Sequence, residues 1–221
     1  MRSATLISTI LAPAADTDLT DLATVHDELD ITNTKSDTFL SRQISAASTA
    51  IQSYCNRIFA PQTIQDQFWF ARDSWPRVVR GEIAPLELTN WPTIEITSVV
   101  ETISGVVTTL ILGTDFLLDA EHGWLTRLNL NGHPSHWRSS PVVAIYQAGY
   151  VGKIPDDVEE AAIRLVTMRW FARHRDPLIR SQNAVGAYEA SYVMGTGPGG
   201  EDDMPAEVTA LIDRYRVPVV A

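Results

Sequence analysis

The sequence predicts an α+β fold: a helical bundle of about four helices with a β-rich insertion between the second and third helices. Three observations predict it. Apolar residues recur at intervals of three and four in two stretches before residue 60 and in two after residue 150. Between them the period changes to short β-branched and aromatic runs punctuated by Gly, Pro, Asn and Asp. The stretch Ile154 to Pro177 carries helix signals at both ends and gives the other helices a surface to pack on.

In chain order, residues 1–16 read as an extended N-terminal segment. Met1 to Pro13 has one basic residue and an Ala-rich end, as a leader would, but Ser and Thr break its apolar part. A segment that adds a strand or lies across a neighbour is the expectation. Residues 17–59 are helical. Thr20 precedes a short helix through Leu29, with Leu22, Val25 and Leu29 at helical spacing and Asp18 or Thr20 available as cap. A second helix runs from Asp37 to near Arg57, with Leu40, Ile44, Ala47, Ile51 and Tyr54 as its stripe. The small residues Ser45, Ala46, Ala47, Ser48 and Ala50 permit close helix approach.

Residues 60–150 form the β-rich insertion, with strands expected at Ile64–Phe70, Ile83–Leu88, Ile94–Thr102, Val106–Leu112, Phe116–Leu118, Trp124–Leu130 and Val142–Tyr146. Ser104-Gly105 is the expected hairpin turn between two of them. Residues 151–178 hold the long helix. Residues 179–204, ending in a Gly- and acid-rich run, read as a mobile arm without helix or strand pattern. Residues 205–221 hold a last helix and an extended tail.

The long helix is capped by chemistry at both ends. Pro155 suits the first turn, where its missing N–H costs nothing, and Asp156, Asp157, Glu159 and Glu160 place negative charge at the positive end of the dipole. Arg169, Arg173 and Arg175 crowd the other end before Pro177 stops it. At 100° per residue, Val158, Ala161, Ala162, Leu165, Met168 and Ala172 form one core-facing stripe. Ile163, Val166 and Trp170 form a second, narrower seam, with Phe171 further round. Either the helix is buried on several sides in its own domain, or the seam packs against another subunit.

The 221 residues carry 17 basic and 27 acidic side chains, a formal charge of −10, which argues against tight nonspecific wrapping of nucleic acid. Such a chain still tolerates DNA that passes without being gripped. The single cysteine, Cys55, excludes an intramolecular disulfide framework and any multi-Cys metal site, and its apolar setting reads as core. No run approaches the roughly 20 apolar residues needed to span a bilayer, so no membrane partner is expected.

The catalytic motifs are few. Gly195 to Gly200 formally satisfies G-x-G-x-x-G, but it lacks a surrounding βαβ unit, contains Pro198 and is followed by Glu201, Asp202 and Asp203, which would repel phosphate. No cofactor is expected. His122, His133 and His136 cluster in sequence without a third ligand at a set spacing, so they are expected to be loop residues rather than a metal site. The paired carboxylates at 156–160 are accounted for by the helix dipole. No catalytic residue is expected.

Several segments, in order, carry a resemblance. Leu11-Ala12-Pro13-Ala14 leads into a helix ending Glu28-Leu29-Asp30-Ile31, followed by Ile44-Ser45-Ala46-Ala47 and Tyr54-Cys55-Asn56-Arg57. After the insertion come Tyr146-Gln147-Ala148-Gly149-Tyr150, Ile154-Pro155-Asp156-Asp157 and Arg173-His174-Arg175-Asp176. Together, from about Leu11 to Asp176, these resemble the head-tail adaptor (connector) proteins of long-tailed bacteriophages and gene transfer agents. The β block looks longer than in the most compact members.

The resemblance implies a structural virion protein and no enzyme: a homo-oligomeric ring, dodecameric in the family, located in the neck at the head-tail interface and assembled in the host cytoplasm. Its partners would be the portal protein and the next neck or tail-completion protein, with DNA passing through the channel without specific binding. By position, Asp37–Arg57 and Ile154–Asp176 would make the ring body. Ile163, Val166, Trp170, Phe171, Arg173 and Arg175 are then the candidates for the subunit interface. Val208, Leu211, Ile212, Tyr215, Arg216, Val217 and Val219 are the candidates for gripping the portal. Two rivals stand beside this reading: a soluble metal-dependent hydrolase using the His122, His133 and His136 loop, and a monomeric tail-completion interaction module.

Overall fold

The structure is a computed structural model, and it describes residues 5–70, 85–138, 140–173, 181–184, 188–191 and 204–217. The elements follow in chain order. β1 (Thr5–Ala12), α1 (Leu22–Glu28) and α2 (Asp37–Cys55) come first. β2 (Gln62–Trp69), β3 (Leu86–Glu87), β4 (Thr93–Ile103), β5 (Val106–Leu110), β6 (Phe116–Asp119), β7 (Trp124–Leu128), β8 (Pro134–Ser135) and β9 (Val142–Ala148) follow. Then come α3 (Asp156–Ala172), β10 (Ser181–Ala184), β11 (Tyr188–Ser191) and α4 (Ala206–Ile212), which runs into a short 3-10 turn at Asp213–Tyr215. The class is α+β, with four helices and antiparallel sheets among the described residues.

The chain divides into two compact units, one of residues 1–16 and 60–153 and one of residues 17–59 and 154–221. The first is β-rich. Its larger sheet has the order β1-β2-β9-β4-β5, antiparallel throughout. Period-2 alternation sets its faces: Gln62, Ile64, Asp66 and Phe68 of β2 are buried while the residues between them are half-exposed, and Val142, Ala144, Tyr146 and Ala148 of β9 do the same. A smaller sheet has the order β3-β7-β6, with β8 also paired to β7. Phe116, Leu125 and Trp137 from this side share one core with Ile64, Val99 and Val142 of the larger sheet. The Trp137 indole N–H donates to the Leu125 carbonyl at 3.0 Å, so the ring is buried with its one donor satisfied.

Ser104 and Gly105 take φ of 51° and 81°, and Ile103 pairs with Val106, which makes the turn a two-residue type I′ hairpin. Two polar networks lie inside this unit. Asp66, fully buried, accepts from the Tyr146 hydroxyl at 2.8 Å, the Thr89 N–H at 2.7 Å and the Thr89 hydroxyl at 2.8 Å. Glu101, also buried, accepts from Ser140 Oγ at 2.8 Å and has Arg127 Nη2 at 3.7 Å, while Arg127 Nη1 lies 3.5 Å from Asp115 Oδ1.

The second unit is helical. α2 packs against α1 and α3, and α3 against α4. α2 packs on α3 with Leu40, Ile44, Ala47 and Ile51 of the one and Val158, Ala161, Ala162 and Leu165 of the other all buried, and the alanines allow close approach. Asp21, not Asp18 or Thr20, caps α1: its carboxylate accepts from the Thr24 N–H at 2.7 Å. That bond and a neighbouring one hold the Asp21 carboxyl below its ordinary range. α2 ends at Asn56, whose left-handed φ of 52° lets the Arg57 N–H reach the Gln52 carbonyl.

Three sequence expectations change here. The polar side of α2 does not serve helix approach throughout, because Ser45 Oγ donates to Asp18, Ser48 Oγ accepts from the Leu19 N–H and Gln52 donates to the Thr17 carbonyl. These positions, spaced three and four apart, hold residues 17–19 along the helix. The core stripe of α3 stops at Leu165: Met168 is 47% exposed and Ala172 is exposed. Within the span read as an arm without strands, β10 and β11 pair antiparallel; four-residue strands are too short and too polar to show a period-2 pattern. The remainder of that arm lies outside the described residues, as does the Gly195–Gly200 run.

Candidate assembly surfaces

α3 begins at Asp156, directly after Pro155, and the first turn carries Asp156, Asp157 and Glu159 as the dipole requires. Its two apolar seams fare differently. Val166 is fully buried, which corrects its place among surface candidates: packing against α2 and α4 encloses the helix further round than one stripe. Ile163 and Trp170 are half-buried. The Trp170 ring meets Phe39 of α2 at 6.1 Å and 56°, and the Arg173 guanidinium covers both rings, 4.5 Å from Phe39 and 5.8 Å from Trp170. Phe171 is 72% exposed, beside Met168 on the solvent side. The free apolar face of α3 is therefore Met168 and Phe171, flanked by the Phe39–Trp170–Arg173 stack. Arg175 lies outside the described residues.

The C-terminal candidates divide in the same way. Val208 and Ile212 are fully buried, so they belong to the core of the helical unit, a correction that follows from α4 being one more packed helix and not a free arm. Leu211 and Tyr215 are half-buried, and the Tyr215 ring meets Phe59 edge-on at 5.9 Å. Arg216 lies over the Tyr54 ring at 5.0 Å, and the Val217 N–H donates to the Cys55 carbonyl at 2.9 Å. The Tyr54 hydroxyl donates to Asp213, a bond that raises its pKa above the ordinary phenol value. Arg214 pairs with Asp157 of α3. Residues 213–217 are thus stitched to α2 and α3, and Val219 lies outside the described residues. Cys55 is buried, its thiol 3.8 Å from the Ile212 carbonyl and pushed up to about 11 by burial, which makes it inert.

The histidine loop does not gather. His122 stacks on Trp124 at 5.0 Å and lies 2.9 Å from Asp119, whose carboxyl is held below its usual range by that bond. His133 is exposed at a turn where its N–H donates to Asn129, and His136 is half-buried. Among the described residues, no three His, Cys, Asp or Glu side chains converge as a metal site, and no helix is long and apolar enough to cross a membrane.

The N-terminal segment adds a strand, β1, as expected, but sequence reasoning did not show that both edges of its sheet carry apolar surface. Both outer strands of the five-stranded sheet are exposed: Leu6, Ile7, Ile10 and Leu11 on β1, and Val106 and Val107 on β5. The uncharged composition of both strands was the available signal.

Residues 19–78, which include α1, α2 and β2, match the family described as phage gp6-like head-tail connector protein. No curated protein matches the chain. Among solved structures, a chain in the neck of an empty gene transfer agent particle computed with C6 symmetry is similar at 19% identity, with 97% of each chain covered and a TM-score of 0.53. A chain in the virion of the native particle gives the same figures, and one in the native neck computed with C12 symmetry gives 18% identity, 97% of each chain and 0.52. At these identities the likeness establishes a common fold. The chain is thus similar through residues 19–78 to the phage gp6-like head-tail connector proteins, and along nearly its whole length it has the fold of chains in gene transfer agent particles.

Proposed function

We propose that the protein is a structural component of a virion neck, a ring subunit that joins the portal of the head to the next neck or tail protein and lines the channel for DNA. The observation that carries this is the connector match over residues 19–78, which includes α2, one of the two helices that would build the ring body. The fold common with neck chains supports the same reading, and a neck with C12 symmetry among the similar structures agrees with a dodecamer. In this arrangement the helical unit forms the ring body, and the β-rich unit combines the insertion between its second and third helices with the N-terminal strand β1.

Three physical features support it. The formal charge of −10 disfavours backbone contact with passing DNA. Met168 and Phe171 leave α3 with apolar surface that a neighbouring subunit would cover, with Trp170 and Arg173 at its border. Leu211, Tyr215, Arg216 and Val217 precede the tail that would reach the portal. The mechanism is passive: sealing, symmetry matching and docking.

Size-exclusion chromatography with light scattering, followed by negative-stain imaging of the full chain alone and with portal, tests the proposal. Rings, alone or on portal, are the expected result. A monomer that never binds portal overturns it.

A further inference from the structure

We infer that the five-stranded sheet of one copy is continued by the next copy in the ring, the free edge of β5 pairing with the free edge of β1 of its neighbour. This rests on the ring reading above and names one of its contacts.

Among the described residues no strand pairs with the outer edge of β1 or β5, where isolated sheets protect theirs. Monomeric β-proteins blunt an edge with Lys, Pro, inward charges or a bulge, because an unpaired row of N–H and C=O groups templates further pairing. β1 reads TLISTILA and β5 VVTTL, with no charge and no proline. The one irregularity of β1, between Ile10 and Ala12, lies at its end and leaves Thr5 to Ile10 in regular register.

The faces are unfinished too. Leu6, Ser8 and Ile10 stand opposite Phe68, Asp66 and Ile64, all buried, so the core face of the sheet runs on to Leu6 and Ile10, which are 39% and 53% exposed. At the other edge Leu110 is buried opposite Val99, while Val106, on the same face, is 65% exposed. On the reverse face Ile7 and Val107 are exposed. A strand added at either edge would cover these residues and satisfy the backbone together.

Charge and topology choose the occupant. Copies at −10 repel one another and meet at least cost through neutral surfaces, and the sequence is uncharged from Ser3 to Ala15 and from Thr102 to Thr114. Because neighbours in the sheet alternate in direction, β1 and β5 run the same way. In a ring of about twelve copies the step from one copy to the next is about 30°, too small to reverse a strand, so β5 meets β1 in parallel. Two different edges on opposite sides of one sheet make a heterologous contact, the kind a closed ring requires; β1 on β1 would stop at a two-fold dimer.

Cysteine pairs test this directly, since the native Cys55 thiol is buried. Ile7→Cys and Val107→Cys sit at exposed positions on the same face, and Thr9→Cys with Val107→Cys covers a register slid by two. Each double variant and each single variant is assembled, checked for rings by negative stain, and treated with a short bis-maleimide. A ladder of covalent multimers from a double variant, absent from both singles, is expected. Rings without a ladder from either pair overturn the inference while leaving the ring reading intact, and dimers from Ile7→Cys or Val107→Cys alone overturn it in favour of two-fold pairing. If the unmodified chain forms no ring alone or on portal, the ring reading itself falls and this contact with it.

Discussion

The Tyr146 hydroxyl donates to Asp66 Oδ2 at 2.8 Å, joining β9 to β2 inside the core, and Thr89 closes the same carboxylate from the loop after β3. The hydroxyl also accepts from the Asn90 N–H at 3.2 Å, so one phenol ties two strands and a loop. Tyr146→Phe leaves that donor unpaired and removes one of the bonds to a buried carboxylate, a loss of about 1–3 kcal/mol. A lower urea midpoint at unchanged slope is the expected result.

The same tyrosine sets an alkaline limit. Burial, first, and Asp66 beside it raise the Tyr146 pKa above its ordinary 10, and burial raises Cys55 from 9.0 to about 11. In each case the unfolded chain loses its proton first, so the native state binds more protons and stability falls as pH rises. The Cys55 contribution is complete below pH 9 and declines up to about 11; that of Tyr146 begins to decline above 10. Urea midpoints taken between about pH 8 and pH 11 should fall in the native chain, and in Tyr146→Phe the fall above 10 should become shallower while the contributions of Cys55 and Tyr54 persist.

Arg127 is placed to neutralise Glu101, 1% exposed, and its Nη1 also donates to the Leu128 carbonyl at 3.0 Å. Arg127→Met strands a buried carboxylate and is expected to cost about 3 kcal/mol or more. Adding Glu101→Gln should recover part of that loss, a coupling that a double-mutant cycle by thermal denaturation measures.

On α3, Phe171→Glu should leave thermal stability within about 0.5 kcal/mol, because the side chain is mostly in solvent, and should abolish rings. Val166→Ala should do the reverse, costing roughly 2 kcal/mol through a cavity while rings still form at low temperature. Light scattering beside calorimetry separates the two.

Ser104 occupies a left-handed position that Asn adopts more readily, followed by the glycine that a type I′ turn favours. Ser104→Asn should raise the unfolding midpoint of the β-rich unit. Slower amide exchange in β4 and β5 would register it residue by residue.

Most of the secondary structure was legible because its determinants are local. The Ser104-Gly105 turn, the Pro155 boundary with its acids, and the period-2 runs of β2 and β9 each depend on residues within a few positions of one another. The candidate surfaces were legible only in part. Ile163, Val166 and Trp170 share an angular sector, yet Val166 is core and Trp170 leans on Phe39, while Phe171 and Met168 are the residues left in solvent.

By itself the sequence determined the α+β class, most helix and strand positions, the acidic balance and the resemblance to connectors, since composition, period and capping are properties of the chain. The tertiary structure alone decided which faces stay open. α3 is apolar on more than one side, and whether a side is core or surface depends on where α2 and α4 lie, a nonlocal fact that no helical period encodes. The same holds for β1 and β5: their sequences fit a strand anywhere in a sheet, and only the order β1-β2-β9-β4-β5 makes them edges.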